Sequence, residues 1–198
     1  MLNRLNVYYN GWGESWLWGT LISSTATTGR PTIAFEYSPE AIQQGVELSS
    51  YLLPLKGLPF RQGFPTHQMG LPGPVYDALP DGWGMMLMDR YFKKIGLNSA
   101  RIGPLERLTY ISSHAMGALS FEPCVADMQT SENIPLQQLA QEVQEVLKGE
   151  GGEFLQHLLV MGGSPQGASP KALVYRDPVN LAFSTHDSVL HYAWLITF

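Results

Sequence analysis

Leu5-Asn-Val-Tyr-Tyr-Asn-Gly-Trp-Gly-Glu-Ser-Trp-Leu-Trp-Gly-Thr-Leu-Ile22 sets two aromatic, β-prone runs, Leu5 to Tyr9 and Trp16 to Ile22, on either side of turn residues. Thr32 to Tyr37 adds a third run after Ser, Thr, Gly and Pro punctuation, so residues 1–37 are predicted to form an antiparallel meander. Asn10-Gly11 is the turn signal between the first two runs, and Gly13 close behind it predicts a loop longer than two residues.

Outward from this sheet, Pro54, Pro59, Pro65, Pro72 and Pro74 predict an extended, irregular crossing over residues 54–74. Pro80-Asp81-Gly82 then opens a helical period that puts Trp83, Met86, Leu87, Tyr91 and Ile95 on one face, with Asp81 placed to cap its start and Gly96 its end. Met85, Met86 and Met88 are read as core fillers, the usual role of methionine at helical spacing. Pro104 to Ser112 reads as a second short helix, and Gly117 to Pro123 as a strand returning to the first sheet.

The polar stretch Val125 to Asn133 marks a boundary, giving a first subdomain at 1–124, a linker at 125–134 and a second part at 135–198. Leu136, Leu139, Ala140, Val143, Val146 and Leu147 recur with the period of an amphipathic helix, and Phe154 to Val160 resume helically after the glycines at 149–152. Ala172–Tyr175, Leu181–Ser184 and His191–Phe198 read as strands. The fold class is α+β: an antiparallel β-rich subdomain with helices, then a helix pair feeding a small sheet. The last apolar run, Trp194 to Phe198, has no turn or cap after it, and further chain is expected beyond it.

A formal charge of −5 and scattered basic residues argue against direct nucleic-acid binding. Cys124 is the single cysteine, which fits a reducing cytosol and is expected to be buried and inert. Neither a leader pattern nor an 18-residue apolar window is present, so a cytoplasmic protein without a membrane span is expected. His67, His114, His157, His186 and His191 lack zinc-ligand spacing, and no metal site or catalytic residue is assigned. His186-Asp187 lacks the other pieces of a kinase catalytic loop, and no Gly-x-Ser-x-Gly elbow supports hydrolase chemistry.

The segment richest in chemistry is Met161-Gly-Gly-Ser-Pro-Gln-Gly-Ala-Ser-Pro-Lys-Ala-Leu-Val174. Gly162, Gly163 and Gly167 can turn N–H groups toward an anion without a Cβ in the way, and Lys171 supplies a point charge for phosphate. The loop follows a helix and precedes a strand, the reverse of a Walker loop, whose spacing it also lacks. Gly, Ser and Pro are equally the punctuation of an ordinary surface turn. A phosphate on Ser164 or Ser169 would turn such a loop into a switch.

Leu79-Pro-Asp-Gly-Trp-Gly84, Met116-Gly-Ala-Leu119 with Phe121-Glu-Pro123, and Gly162 to Val174, in this order, resemble the HipA family, toxin serine/threonine kinases of bacterial toxin–antitoxin modules. Asn6-Val-Tyr-Tyr-Asn-Gly11, Gly19-Thr-Leu21 and Phe35-Glu-Tyr37 extend the likeness over essentially the whole chain. The resemblance implies that the small sheet begins a kinase-like N-lobe and that Gly162, Gly163, Ser164, Gly167, Ala168 and Lys171 lie on its nucleotide-phosphate side; ATP and magnesium are implied for the complete family enzyme, and neither is expected to bind tightly to this fragment. Ser164 matches the family's autophosphorylated serine, whose modification ejects the loop and silences the kinase. The position of the family's ATP-contacting lysine falls at Thr197, and the lobe bearing the catalytic Asp has no counterpart in these residues.

Two functions stand at this level. One is a truncated HipA-like kinase that is inactive as this fragment. The other is a non-enzymatic module that docks an antitoxin or a separate kinase chain. The implied partners are a HipB-like helix-turn-helix antitoxin, which would carry the DNA contacts, and an aminoacyl-tRNA synthetase as protein substrate.

Overall fold

A computed structural model describes residues 2–24, 32–55, 60–111, 117–125, 133–149, 155–162, 167–185 and 192–198. Its contacts divide the chain into two compact units, one of Met1–Leu79, Ile102–Ser113 and Gly117–Val125, the other chiefly of Pro80–Arg101 and Ala126–Phe198. The fold is mixed α+β, with antiparallel sheets.

In the first unit the three opening runs become β1 (Arg4–Gly11), β2 (Glu14–Ser24) and β3 (Thr32–Tyr37). With β4 (Phe60–Gln62) and β5 (Leu119–Glu122) they form an antiparallel sheet in the order β4-β3-β2-β1-β5. Leu5, Val7, Trp18, Leu21 and Phe35 are fully buried, as central strands rich in aromatic and β-branched residues require. The Trp18 and Phe35 rings lie 4.6 Å apart, and Tyr37 meets Phe35 edge-on at 5.0 Å. Between Val7 and Tyr8 the β1–β2 register slips, leaving Trp18 as an extra residue on β2.

The hairpin differs from the sequence reading. Asn10 and Gly11 stay in β1, paired with Ser15 and Glu14, and the turn is Trp12-Gly13 alone, at φ 59° and 82°. Asn10 is taken up by the sheet: its side chain donates to Ser120 Oγ at 2.7 Å and accepts from Ser15 Oγ at 2.6 Å, while its N–H donates to Ala118 at 2.7 Å. Gly13 supplies the second left-handed residue that a two-residue turn needs, so the loop stays short. Trp12 is 97% exposed and therefore contributes no burial to offset its left-handed backbone. Trp12→Asn is expected to raise stability by about 0.5–1 kcal/mol, read as a higher urea midpoint with an unchanged slope.

Ser38 caps α1 (Pro39–Gln44): its Oγ accepts from Ala41 N–H at 2.9 Å, and Pro39 occupies the first turn. The proline-rich crossing is more regular than its composition implies. It holds β4, a 3-10 turn at Thr66–Gln68 and α2 (Gly73–Ala78), because Pro74 falls in a first helical turn, where a missing N–H costs nothing. Cys124, expected to be buried, is exposed, since it lies past the end of β5 where the sheet no longer covers the chain.

The second unit contains α3 (Gly82–Lys94), α5 (Leu136–Lys148), α6 (Leu155–Gly162) and the sheet β7-β6-β8, built from β6 (Lys171–Arg176), β7 (Phe183–Ser184) and β8 (Tyr192–Thr197); α4 (Pro104–Leu108) belongs to the first unit. α3 buries Trp83, Leu87, Met88, Tyr91 and Phe92. The face is rotated from the one read in sequence: Met88 fills the core, whereas Met85 and Met86 are half-buried on the wall of an open groove of about 840 Å³ and Ile95 is exposed. α5 buries Leu139, Val143 and Val146 as its period predicts and closes at Gly149 (φ 87°). Arg90 of α3 donates to the Val146 carbonyl near the C-terminus of α5, where a cation and a donor are both favourable. Asn133 and Ile134, at the end of the polar stretch, are fastened to Thr185: Asn133 Oδ1 accepts the Thr185 N–H at 3.0 Å, and Ile134 N–H donates to Thr185 Oγ1 at 3.0 Å.

Candidate functional site

α6 packs on α3 and β6 with Leu155, Leu158, Leu159 and Met161 buried, and it ends at Gly162. Nine residues later β6 starts at Lys171, so the glycine segment links a helix to the central strand of the small sheet. Gly163 and Ser164 lie outside the described residues. Gly167, Ala168 and Lys171 are brought together.

Gly167 sits at φ 116°, a backbone region that L side chains rarely adopt. A Cβ there would meet Lys171 Nζ, the tip of a long flexible side chain, so the ammonium lies beside the Gly167 backbone while the positive φ is what calls for glycine. Lys171 is half-buried, and on β8 its directly paired residue is Thr197. Directly paired residues of antiparallel strands project from the same face. Lys171 therefore occupies the face on which Thr197 carries no charge. Pro170 accepts the Phe198 N–H at 3.0 Å and extends the pairing by one residue.

The start of α3 meets the loop in a way the sequence reading does not anticipate. Asp81 occupies the N-cap position but makes no side-chain bond to its own helix. Its Oδ1 instead accepts the N–H of Gly167, so this N–H is given to a carboxylate of the chain itself. Trp83, whose N–H is one of the donors a helix start leaves unpaired, donates to the Gly167 carbonyl at 3.2 Å. Gly82, at φ 29°, lets the backbones touch: a Cβ there would fall 2.8 Å from Ala168 Cα and 2.9 Å from the Gly167 oxygen. A glycine immediately after a good capping residue was the one available signal, because a helix start has no need of glycine at that position.

The loop's chemistry suits a phosphate on the Lys171 side, where a cation lies against bare backbone. Among the described residues no three His, Cys, Asp or Glu side chains gather as a metal seat. No helix among the described residues is long and apolar enough to cross a membrane.

A family model of the HipA N-terminal domain matches residues 13–122, more than half of the chain, and spans β2 through β5. The chain belongs to the HipA family of toxin–antitoxin proteins. No curated protein matches the chain. Gly162 to Lys171 lie outside the matched residues, so the loop's role rests on its own geometry and chemistry.

Proposed function

We propose that this HipA-family chain holds the phosphates of ATP at residues 162–171 and serves ATP-dependent phosphoryl transfer to serine or threonine. The observation that carries the reading is Lys171 Nζ lying against the bare backbone of Gly167 at the head of a central antiparallel strand. Gly162, Gly163, Ser164 and Ala168 complete the loop in this proposal, with Ser164 as a regulatory phosphosite. Such transfer also needs a base and magnesium ligands to position the nucleophile and neutralise charge. A catalytic lobe supplying them, in the same polypeptide or in another chain, completes the enzyme. A small helix-turn-helix antitoxin is the proposed partner and carries any DNA contact. An aminoacyl-tRNA synthetase is the proposed substrate class.

The test is calorimetric titration with a non-hydrolysable ATP analogue. Lys171→Ala is expected to weaken binding about tenfold or more, the usual scale for losing a charged hydrogen-bond donor. Equal affinity of variant and parent would remove Lys171 from the site. With magnesium and labelled ATP the 198-residue chain is expected to place phosphate on protein only when a catalytic lobe is added.

A second reading, a docking module without chemistry of its own, is favoured by Trp12 and Tyr51 in the first unit. They are 97% and 92% exposed, and exposed aromatic side chains are the residue type that anchors partners. Phosphate transfer in the presence of a catalytic lobe that is unaffected by Trp12→Ser combined with Tyr51→Ser would count against it.

A further inference from the structure

We infer that Asp81 is a positioning residue for the phosphate loop, acting with Gly82 and Trp83 as a clip that fixes Gly167 and thereby the approach of Lys171. The inference rests on the phosphate-loop reading above.

Three observations converge on one residue. Both polar groups of the Gly167 backbone are engaged by the first turn of α3, the N–H by the Asp81 carboxylate and the carbonyl by the Trp83 N–H. Gly82 allows contact with Ala168 at a distance no side chain would permit. Gly167 in turn leaves the space that Lys171 Nζ fills. The hydrogen bond from Gly167 joins residues 86 apart, so it is tertiary structure and not a local turn.

The clip breaks a local rule. An aspartate at a helix N-cap ordinarily accepts from the second or third N–H of its own helix, and Asp81 forgoes that bond. Local rules are broken where function or another gain compensates. Here the compensation is a charge-assisted bond to a loop amide, stronger than a neutral one. A loop already held in place loses less freedom when a ligand arrives, and a rigid helix is a better support than another loop. Gly167 thus has a role other than donating to phosphate: it is the fixed point from which the chain turns into Lys171.

The discriminating variants are Asp81→Ser and Asp81→Asn in the full chain. Serine still caps α3 but is too short to reach Gly167, so the helix survives and the clip does not. Asparagine keeps an oxygen at the same reach. Amide exchange at Gly167, followed by NMR without nucleotide, is expected to quicken about tenfold in Asp81→Ser and to return most of the way to the parent rate in Asp81→Asn. Affinity for the ATP analogue is expected to fall about tenfold in Asp81→Ser, with Asp81→Asn again close to the parent. Unchanged exchange in Asp81→Ser overturns the clip; quickened exchange with unchanged affinity overturns its positioning role. Failure of the parent chain to bind the analogue overturns the phosphate-loop reading and this role with it, and the exchange data separate that failure from loss of the clip.

Discussion

Gly19→Ala is expected to destabilise the first unit by about 3 kcal/mol, at the upper end of the cost of overpacking a filled core. Gly19 lies in β2 opposite Tyr37, and the Phe35 ring passes directly over it. An added Cβ would overlap Phe35 Cζ and stand 2.7 Å from Cε2 and 2.5 Å from the Glu36 backbone oxygen. Neither neighbour can move aside. Phe35 is fully buried and held between Trp18 at 4.6 Å and Tyr37 at 5.0 Å, and the Glu36 oxygen belongs to β3, which is paired with β2. Urea unfolding followed by tryptophan fluorescence would read the loss. Adding Phe35→Leu to Gly19→Ala should recover part of it, because the two changes share one contact and are not additive. A Gly19→Ala midpoint within error of the parent would refute the crossing.

The same glycine shows what the sequence makes legible. Alternating aromatic and β-branched runs place β1, β2 and β3 within a few residues, and Gly117 to Pro123 is correctly read as the return strand, observed as β5 beside β1. The reason for glycine at 19 is a ring from another strand, which periodicity does not encode. The hairpin turn lies two residues beyond Asn10-Gly11 for a similar reason: Asn10 is a good turn residue locally, but its side chain is worth more bridging Ser15 and Ser120. On α3 Trp83, Leu87 and Tyr91 are buried as the period predicts, and the face widens toward Met88 and Phe92 instead of Met86 and Ile95. Met86 and Met88 are equally apolar, and only the partners of the helix decide which one faces inward.

The candidate site divides along the same line. Its order, helix then glycine loop then strand, is legible because α6 and β6 carry their own patterns on either side. What holds the loop is not, since the cap reading of Asp81 is satisfied by the helix alone and nothing local favours a bond to Gly167. The family match likewise covers α3 and stops before the loop that α3 supports.

Gly82→Ala carries the second large effect. At φ 29° an alanine is strained before any neighbour is considered, and its Cβ would lie 2.8 Å from Ala168 Cα and 3.0 Å from Ala168 N. These are backbone atoms, so the clash is relieved only by moving residues 167 and 168 away from α3. That movement gives up the bond from Gly167 to Asp81 and the bond from Trp83 to Gly167 together. A loss of about 2–3 kcal/mol in the second unit follows from strain plus two hydrogen bonds, and binding of the ATP analogue should weaken as in Asp81→Ser. Gly73→Ala is the control, since a Cβ on that first residue of α2 meets nothing within 4 Å and should shift stability by less than about 0.5 kcal/mol. If Gly82→Ala unfolds at the same urea concentration as Gly73→Ala, the close approach of loop and helix is not what requires glycine there.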